Sequence, residues 1–304
     1  MTKDIMRNEE NYTTIETIER SLNDNKKIIN EETAAVLQKK RSAFKVLSPE
    51  QLAIVKEKCN QAIENKQLNI IPSDKEITEA FDILRADYLD ENLPLPDRSI
   101  RNITITPEQF RENANIITKK IIESICLEYD KKNIIPVYIW RAGLFPFMQS
   151  CINAEIDNHT HIGLARNEKT LNPIQYLPLT LDIRTITKDS KILLADPMLA
   201  TWWSLIKVIR KLLQLWIPED QILIATVISA PEWIDKILSN YPKIKIYTWS
   251  LDDHLNEAWY ICIWLGDFGD KVTEWITLEY LNALKPYMKN NIFEILVKKL
   301  IPEK

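Results

Sequence analysis

Five short apolar runs in the second half of the chain constrain its fold more than any other feature. They are IIPVYI (134–139), HIGLA (161–165), KILLAD (191–196), QILIATVI (221–228) and KIKIYTW (243–249). Their lengths suit strands rather than helices, and their texture is that of strands covered on both faces. Helical stretches lie between them, notably 204–215 and 231–239. The pattern predicts an α/β fold: a mainly parallel sheet flanked by helices, with an N-terminal helical extension. Ligands of such sheets sit beyond the C-terminal strand ends. The residues just after each run are therefore the candidates for chemistry.

Those residues form a set. Trp140-Arg141-Ala142-Gly143 follow the first run, and Arg166 follows the second, ahead of NEKTLNPIQY (167–176). Asp196 closes the third, where KILLADPMLATWWS (191–204) reads as strand, acid, turn and helix start. YICIWLGDFGD (260–270) adds acidic residues near the end. Taken singly, a strand-end Arg is most often a surface residue and an Asp before Pro a turn residue. Two arginines, two acidic sites and a strand–turn–helix on one predicted edge describe a pocket for a polyanionic ligand.

A chain of 304 residues holds one sizeable domain plus an extension, or two small domains. The net charge of −4 does not suit a general nucleic-acid or anionic-membrane surface. No apolar run approaches membrane-spanning length, and MTKDIMRNEE is not a signal peptide. The four cysteines are scattered without a CxxC pair, which predicts reduced thiols, a cytoplasmic location and no metal held by protein side chains.

Before the runs, helical signals dominate. Ser48-Pro49-Glu50-Gln51 is a capping-box signature, followed by Leu52, Val55, Cys59 and Ile63 at helical spacing. A second box is read at Ser73 to Glu76, followed by Ile77, Phe81, Leu84 and Tyr88. Thr106-Pro107-Glu108-Gln109 opens a helix running to about Glu128. Residues 31–45 are helix-like, and 92–97 read as a linker. The division expected is a helical extension over 1–98, the α/β domain over 99–275 and a helical tail over 276–304. The extension reads as an appendage or oligomerisation element.

Residues 137–271 resemble the core of uracil phosphoribosyltransferases, enzymes of the type I phosphoribosyltransferase fold. The motifs are RAGL (141–144), HIGLAR (161–166), TLNP (170–173), DPMLAT (196–201), APE (230–232), IYT (246–248), LDDHLNEA (251–258) and LGDFGD (265–270). RNITITPEQFR (101–111) resembles the family's N-terminal segment. The resemblance implies transfer of a ribose 5-phosphate from 5-phosphoribosyl 1-diphosphate to uracil, giving UMP and diphosphate, with Mg²⁺ carried on the diphosphate.

By the same resemblance Asp196 would hold the ribose hydroxyls, and Asp196, Pro197, Met198 and Leu199 lead into a phosphate cradle made by Ala200, Thr201, Trp202, Trp203 and Ser204. Arg141 and Arg166 would grip the diphosphate, under a mobile loop over 167–176. Ile261, Gly266, Asp267 and Phe268 would hold uracil, with Asp267 also beside the donor. Asp196, Asp267 and Arg166 would carry catalysis, and no histidine is needed. A homo-oligomer is expected, although only Leu127 to Asn133 stand where the family has an extended β-arm. Ile263 replaces a common proline, and Asn167-Glu168 replaces an Asp-Pro. A non-catalytic ligand-binding protein on the same fold, and a transferase for another base, are the alternatives.

Glycine and tryptophan usage bear on that choice. The chain has 4 Gly and 9 Trp, where average usage of about 7% would give roughly 21 Gly. The family pattern would place Gly at 202, 203, 216, 233, 259 and 264, and this chain has Trp at each. A phosphate cradle needs backbone without Cβ, so that N–H groups approach the ligand. Some genetic codes read UGA as Trp and others as Gly. A gene of the second kind, translated by the first, would give this set of replacements.

Overall fold

The structure, a computed structural model, describes residues 47–86, 106–140, 142–166, 173–199 and 202–255, with positions 261, 268, 272, 282, 285–287 and 293–294. The chain divides into two compact units. One comprises Met1–Lys45 with Arg166–Ile174, the other Val46–Ala165 with Gln175–Lys304. The second carries the core and nearly all the described residues.

Three capped helices open the described chain. Helix α1 (Pro49–Glu64) starts at the Ser48 capping box: Gln51 N donates to Ser48 Oγ, and Ser48 N donates to Gln51 Oε1 at 3.0 Å. Helix α3 (Pro107–Glu128) repeats the device at Thr106 and Gln109. Both satisfy amides that a helix start leaves without partners. Between them lies α2 (Lys75–Ala86). Its cap is Asp74, whose Oδ1 accepts from Ile77 N at 2.9 Å, one residue later than the box read from sequence. Ser73 instead pairs its hydroxyl with Thr78.

The strands are β1 (Leu68–Ile70), β2 (Ile134–Trp140), β3 (Thr160–Arg166), β4 (Pro173–Leu177), β5 (Lys191–Ala195), β6 (Met198–Leu199), β7 (Ile222–Ser229) and β8 (Lys245–Leu251). Helices α4 (Leu144–Asn153), α5 (Trp202–Gln214) and α6 (Pro231–Asn240) alternate with them. Among the described residues they form one eight-stranded sheet, ordered β1-β8-β7-β5-β2-β3-β4, with β6 beside β7. The pairs β1–β8, β8–β7, β7–β5, β6–β7, β5–β2 and β2–β3 are parallel. All five apolar runs are strands, and every residue of β2 and β7 is buried. This is the expected α/β sheet with helices against it.

Residues 47–86 are joined to that sheet. Strand β1 adds to its edge, with Leu68 opposite Ile246 and Ile70 opposite Thr248. Its three residues give no periodic signal, so it was not legible beforehand. Helix α3 is the central packing helix, burying Phe110, Ala114, Ile117, Ile121 and Ile125. Its one buried hydroxyl, Thr118, bonds to Ala114 O and to Ser150 of α4. The helix-like stretch 31–45, the linker 92–97 and most of the tail after 275 lie outside the described residues. Among the described residues no helix is long and apolar enough to cross a membrane.

Candidate active site

The sheet changes direction at its middle. Strand β3 lies on one side of β2, and the chain then returns to place β5 on the other. This is the switch point at which open α/β sheets bind ligands. Ala195 stands opposite Tyr138, so the residue after β5 comes level with the last residues of β2. That residue is Asp196.

Asp196 is held by its neighbours' backbone. Its N–H donates to Ala225 O at 3.1 Å, and its Oδ1 accepts from Met198 N at 3.4 Å. Pro197 O accepts from Val227 N at 2.9 Å and from Ile228 N at 3.1 Å. Met198 and Leu199 then run as the short strand β6 along β7. The loop after Asp196 is thus tied to β7 before it turns into α5. Burial pushes the Asp196 carboxyl up to about 7, against the Met198 bond that pulls it down. A carboxyl so placed is poised for a ligand that supplies hydrogen bonds to its charged form.

The turn after β2 presses on the same point. Gly143 N donates to Ile139 O at 2.9 Å, and α4 begins at the next residue. A Cβ on Gly143 would stand 2.0 Å from Ala195 O, so the RAGL turn and the β5 end meet through bare backbone. The φ of Gly143 is −77°, an ordinary value; space demands the glycine here.

The proposed site residues fall as follows. Asp196, Pro197, Met198 and Leu199 lie at the switch point, with Ser204 half-buried in the first turn of α5. Trp202 and Trp203 are the first residues of that helix, described through their backbone. Arg166 ends β3 and is also described through its backbone. Ile261 is fully buried and makes an antiparallel bridge with Leu255. Phe268 is buried with its ring edge-on to Phe110, centroids 5.0 Å apart. Arg141, Ala200, Thr201, Gly266 and Asp267 lie outside the described residues.

Sequence reasoning passed over two neighbours. Asp252, buried after β8, donates its N–H to Ser229 O at 2.8 Å. Glu232, the second residue of α6, accepts from Leu255 N through Oε1 at 2.9 Å. Both lie in quoted motifs, LDDHLNEA and APE, and that was the signal available for them. Two of the thiols are held protonated: burial pushes Cys59 and Cys151 up to about 12. His159, just before β3, is buried with its Nδ1 at 2.7 Å from Tyr138 Oη, a pair within the core.

An open, mainly parallel sheet with an acidic residue at its switch point and a strand–turn–helix beyond it is the arrangement in which α/β proteins hold phosphorylated ligands. The family model described as uracil phosphoribosyltransferase matches residues 114–273. The chain belongs to the uracil phosphoribosyltransferase family. Uracil phosphoribosyltransferase of Lactococcus lactis subsp. cremoris is 33% identical over 199 residues, 65% of this chain and 84% of that protein. The enzyme of the same name from Metamycoplasma arthritidis is 37% identical over 158 residues, 52% of this chain and 72% of that one. Among solved structures, the AQ2163 protein of Aquifex aeolicus matches with a TM-score of 0.55 at 21% identity, covering 67% of this chain and 97% of its own, a likeness of fold.

Proposed function

We propose that this protein is a phosphoribosyltransferase that joins uracil to C1 of 5-phosphoribosyl 1-diphosphate, releasing diphosphate and forming UMP. The observation that carries the reading is Asp196 at the switch point, between the backbone-tight RAGL turn and the start of α5, in a chain of this family. Displacement at an anomeric carbon builds positive charge on the ribose ring and negative charge on the leaving group. The site's work is alignment, charge neutralisation and water exclusion. Ionised Asp196 accepts hydrogen bonds from the ribose hydroxyls. The amides from Ala200 to Ser204, at the N-terminus of α5, take the 5-phosphate. Arg141 and Arg166 take the diphosphate. Ile261, Gly266, Asp267 and Phe268 take uracil, and Asp267 also faces the donor.

Mg²⁺ belongs to this reading as an ion carried on the diphosphate, where it neutralises leaving-group charge. Among the described residues no three His, Cys, Asp or Glu side chains cluster to hold a metal. In this reading the diphosphate oxygens are the donors to the ion. The division at 98 and 275, a homo-oligomeric state and a cytoplasmic location are part of the same proposal.

Turnover of the purified full chain with uracil, cytosine, orotate and hypoxanthine tests it. UMP formation with uracil alone is expected, and turnover of another base in preference to uracil overturns the base assignment. One observation favours a second reading, a non-catalytic protein on the same fold: Trp202 and Trp203 open α5 where the cradle needs glycine. Calorimetric titration with 5-phosphoribosyl 1-diphosphate and Mg²⁺ separates the two, since an enzyme binds the donor and a blocked cradle does not.

A further inference from the structure

We propose that Glu232 is a positioning residue for the base-binding segment, seated by helix α1, which lies outside the stretch matched by the family model. The inference rests on the reading above for what the segment binds, and on geometry alone for what Glu232 holds. Oε1 of Glu232 accepts the backbone N–H of Leu255 at 2.9 Å, while Oε2 is buried with no hydrogen-bond partner. Leu255, itself buried, bridges Ile261 in antiparallel fashion. The carboxylate therefore pins one arm of a short return whose other arm is the proposed uracil residue.

Helix α1 backs the carboxylate. Buried Cys59 lies 3.7 Å from Pro231 O, the residue before Glu232, and Lys58 Nζ is 2.8 Å from Asp235 of α6. Lys56 of the same helix pairs with Asp253, two residues before Leu255. Both groups of that pair are largely exposed, so it contributes little. The buried face of Val55, Cys59 and Ala62 provides the seat. Residues from the first half of α6 and from the turn after β8 thus meet one helix that lies outside the matched stretch.

The test uses the full chain with Glu232→Ala, Glu232→Gln and Glu232→Asp. Glu232→Ala is expected to raise the KM for uracil roughly tenfold, the cost of one lost hydrogen bond, while the KM for 5-phosphoribosyl 1-diphosphate stays within about twofold. Glu232→Gln, which keeps the acceptor, restores most of the loss, and Glu232→Asp falls between. Amide exchange supplies a readout independent of turnover: peptides over 252–261 lose protection in Glu232→Ala while those over 222–229 keep it. Equal losses in both KM values, or uniform loss of protection, would make Glu232 merely structural and overturn the proposal. If the parent chain does not turn over uracil but the selective exchange change is seen, the functional reading fails and the positioning role stands. Glu232→Asp and Glu232→Gln cover the case in which the alanine variant does not fold.

A second observation stands apart from the first. We infer that residue 216, and with it the other positions read as tryptophan, is glycine in the protein as its own cell makes it. Helix α5 ends in a Schellman motif: Trp216 N donates to Leu213 O at 3.0 Å and Ile217 N to Leu212 O at 3.1 Å. Trp216 has φ 65°, the left-handed conformation that glycine takes without cost, and its indole is 93% exposed. It gains nothing by burial and pays in backbone strain. Trp140 and Trp249 misfit differently, with indole Nε1 atoms buried and lacking a hydrogen-bond partner, which buried indoles usually find. A gene whose UGA codons mean glycine would produce all three misfits at once when read as tryptophan. Intact mass of the protein isolated from its source decides: a mass lower by nine Trp-to-Gly differences is expected. A mass equal to the 35.6 kDa of this sequence, or UGG at codon 216, overturns the inference.

Discussion

A Cβ on residue 143 would stand 2.0 Å from the carbonyl oxygen of Ala195, so the turn after β2 and the end of β5 touch with no side chain between them. The obstacle is backbone, which cannot swing away as a side chain can. Gly143→Ala is therefore expected to push the RAGL turn off the residue before Asp196. Destabilisation on the order of 1–3 kcal/mol should appear in urea denaturation, as for other overpacked sites. Donor affinity should fall with it. Parental stability and affinity in this variant would show that the two loops are not coupled.

Asp196 makes the donor site pH-dependent. Its folded pKa, about 7, lies above the ordinary 3.8. The folded free protein therefore holds a proton there that the unfolded chain releases. This group's contribution to stability is full below about pH 4 and is lost as pH rises toward about 7. Donor binding runs the other way, because ribose hydroxyls donate to the carboxylate. Calorimetry should show affinity for 5-phosphoribosyl 1-diphosphate rising between about pH 6 and about pH 8 with proton release, a trend that Asp196→Asn flattens as it weakens binding.

Trp216→Gly should stabilise the fold. Removing a side chain from a left-handed residue relieves strain of about 1 kcal/mol, and the exposed indole makes no compensating burial. A Tm raised by about 2 °C is the expected reading, and an unchanged or lower Tm would mean that the indole contributes elsewhere.

Trp202→Gly with Trp203→Gly addresses the cradle directly. Glycine at both positions frees the helix N-terminus for the 5-phosphate. Donor affinity should rise by tenfold or more relative to the chain with Trp at both positions, on the order of 1–3 kcal/mol, with uracil turnover following. No change in donor affinity would place the phosphate elsewhere.

The sheet was legible because its strands are buried on both faces and so read as unbroken apolar runs, IIPVYI and ILIATVIS most plainly. Helices α1 and α3 were legible because their capping boxes are local, each needing only residues three apart. Strand β1 was not, since three residues carry no period and its partner β8 is remote in sequence. Strand β6 escaped for the same reason, being two residues held by Pro197 and β7. Asp196 could be placed because it ends a run at a predicted edge. Glu232 could not, because a carboxylate that holds a distant amide looks, in sequence, like any first-turn acid of a helix.

The bond between Asn69 and Ile246 spans 177 positions, and it fixes an order of events as well as a contact. While the chain is being synthesised, α1 and β1 emerge long before their partners α6 and β8 exist. Until then α1 lacks the helix it packs against and β1 lacks the strand it pairs with. Contacts of such long range close slowly and leave interim species prone to aggregate. A chain halted before residue 245 would leave the early segment without its strand partner, so completing the sheet edge reports that translation has passed the last strand.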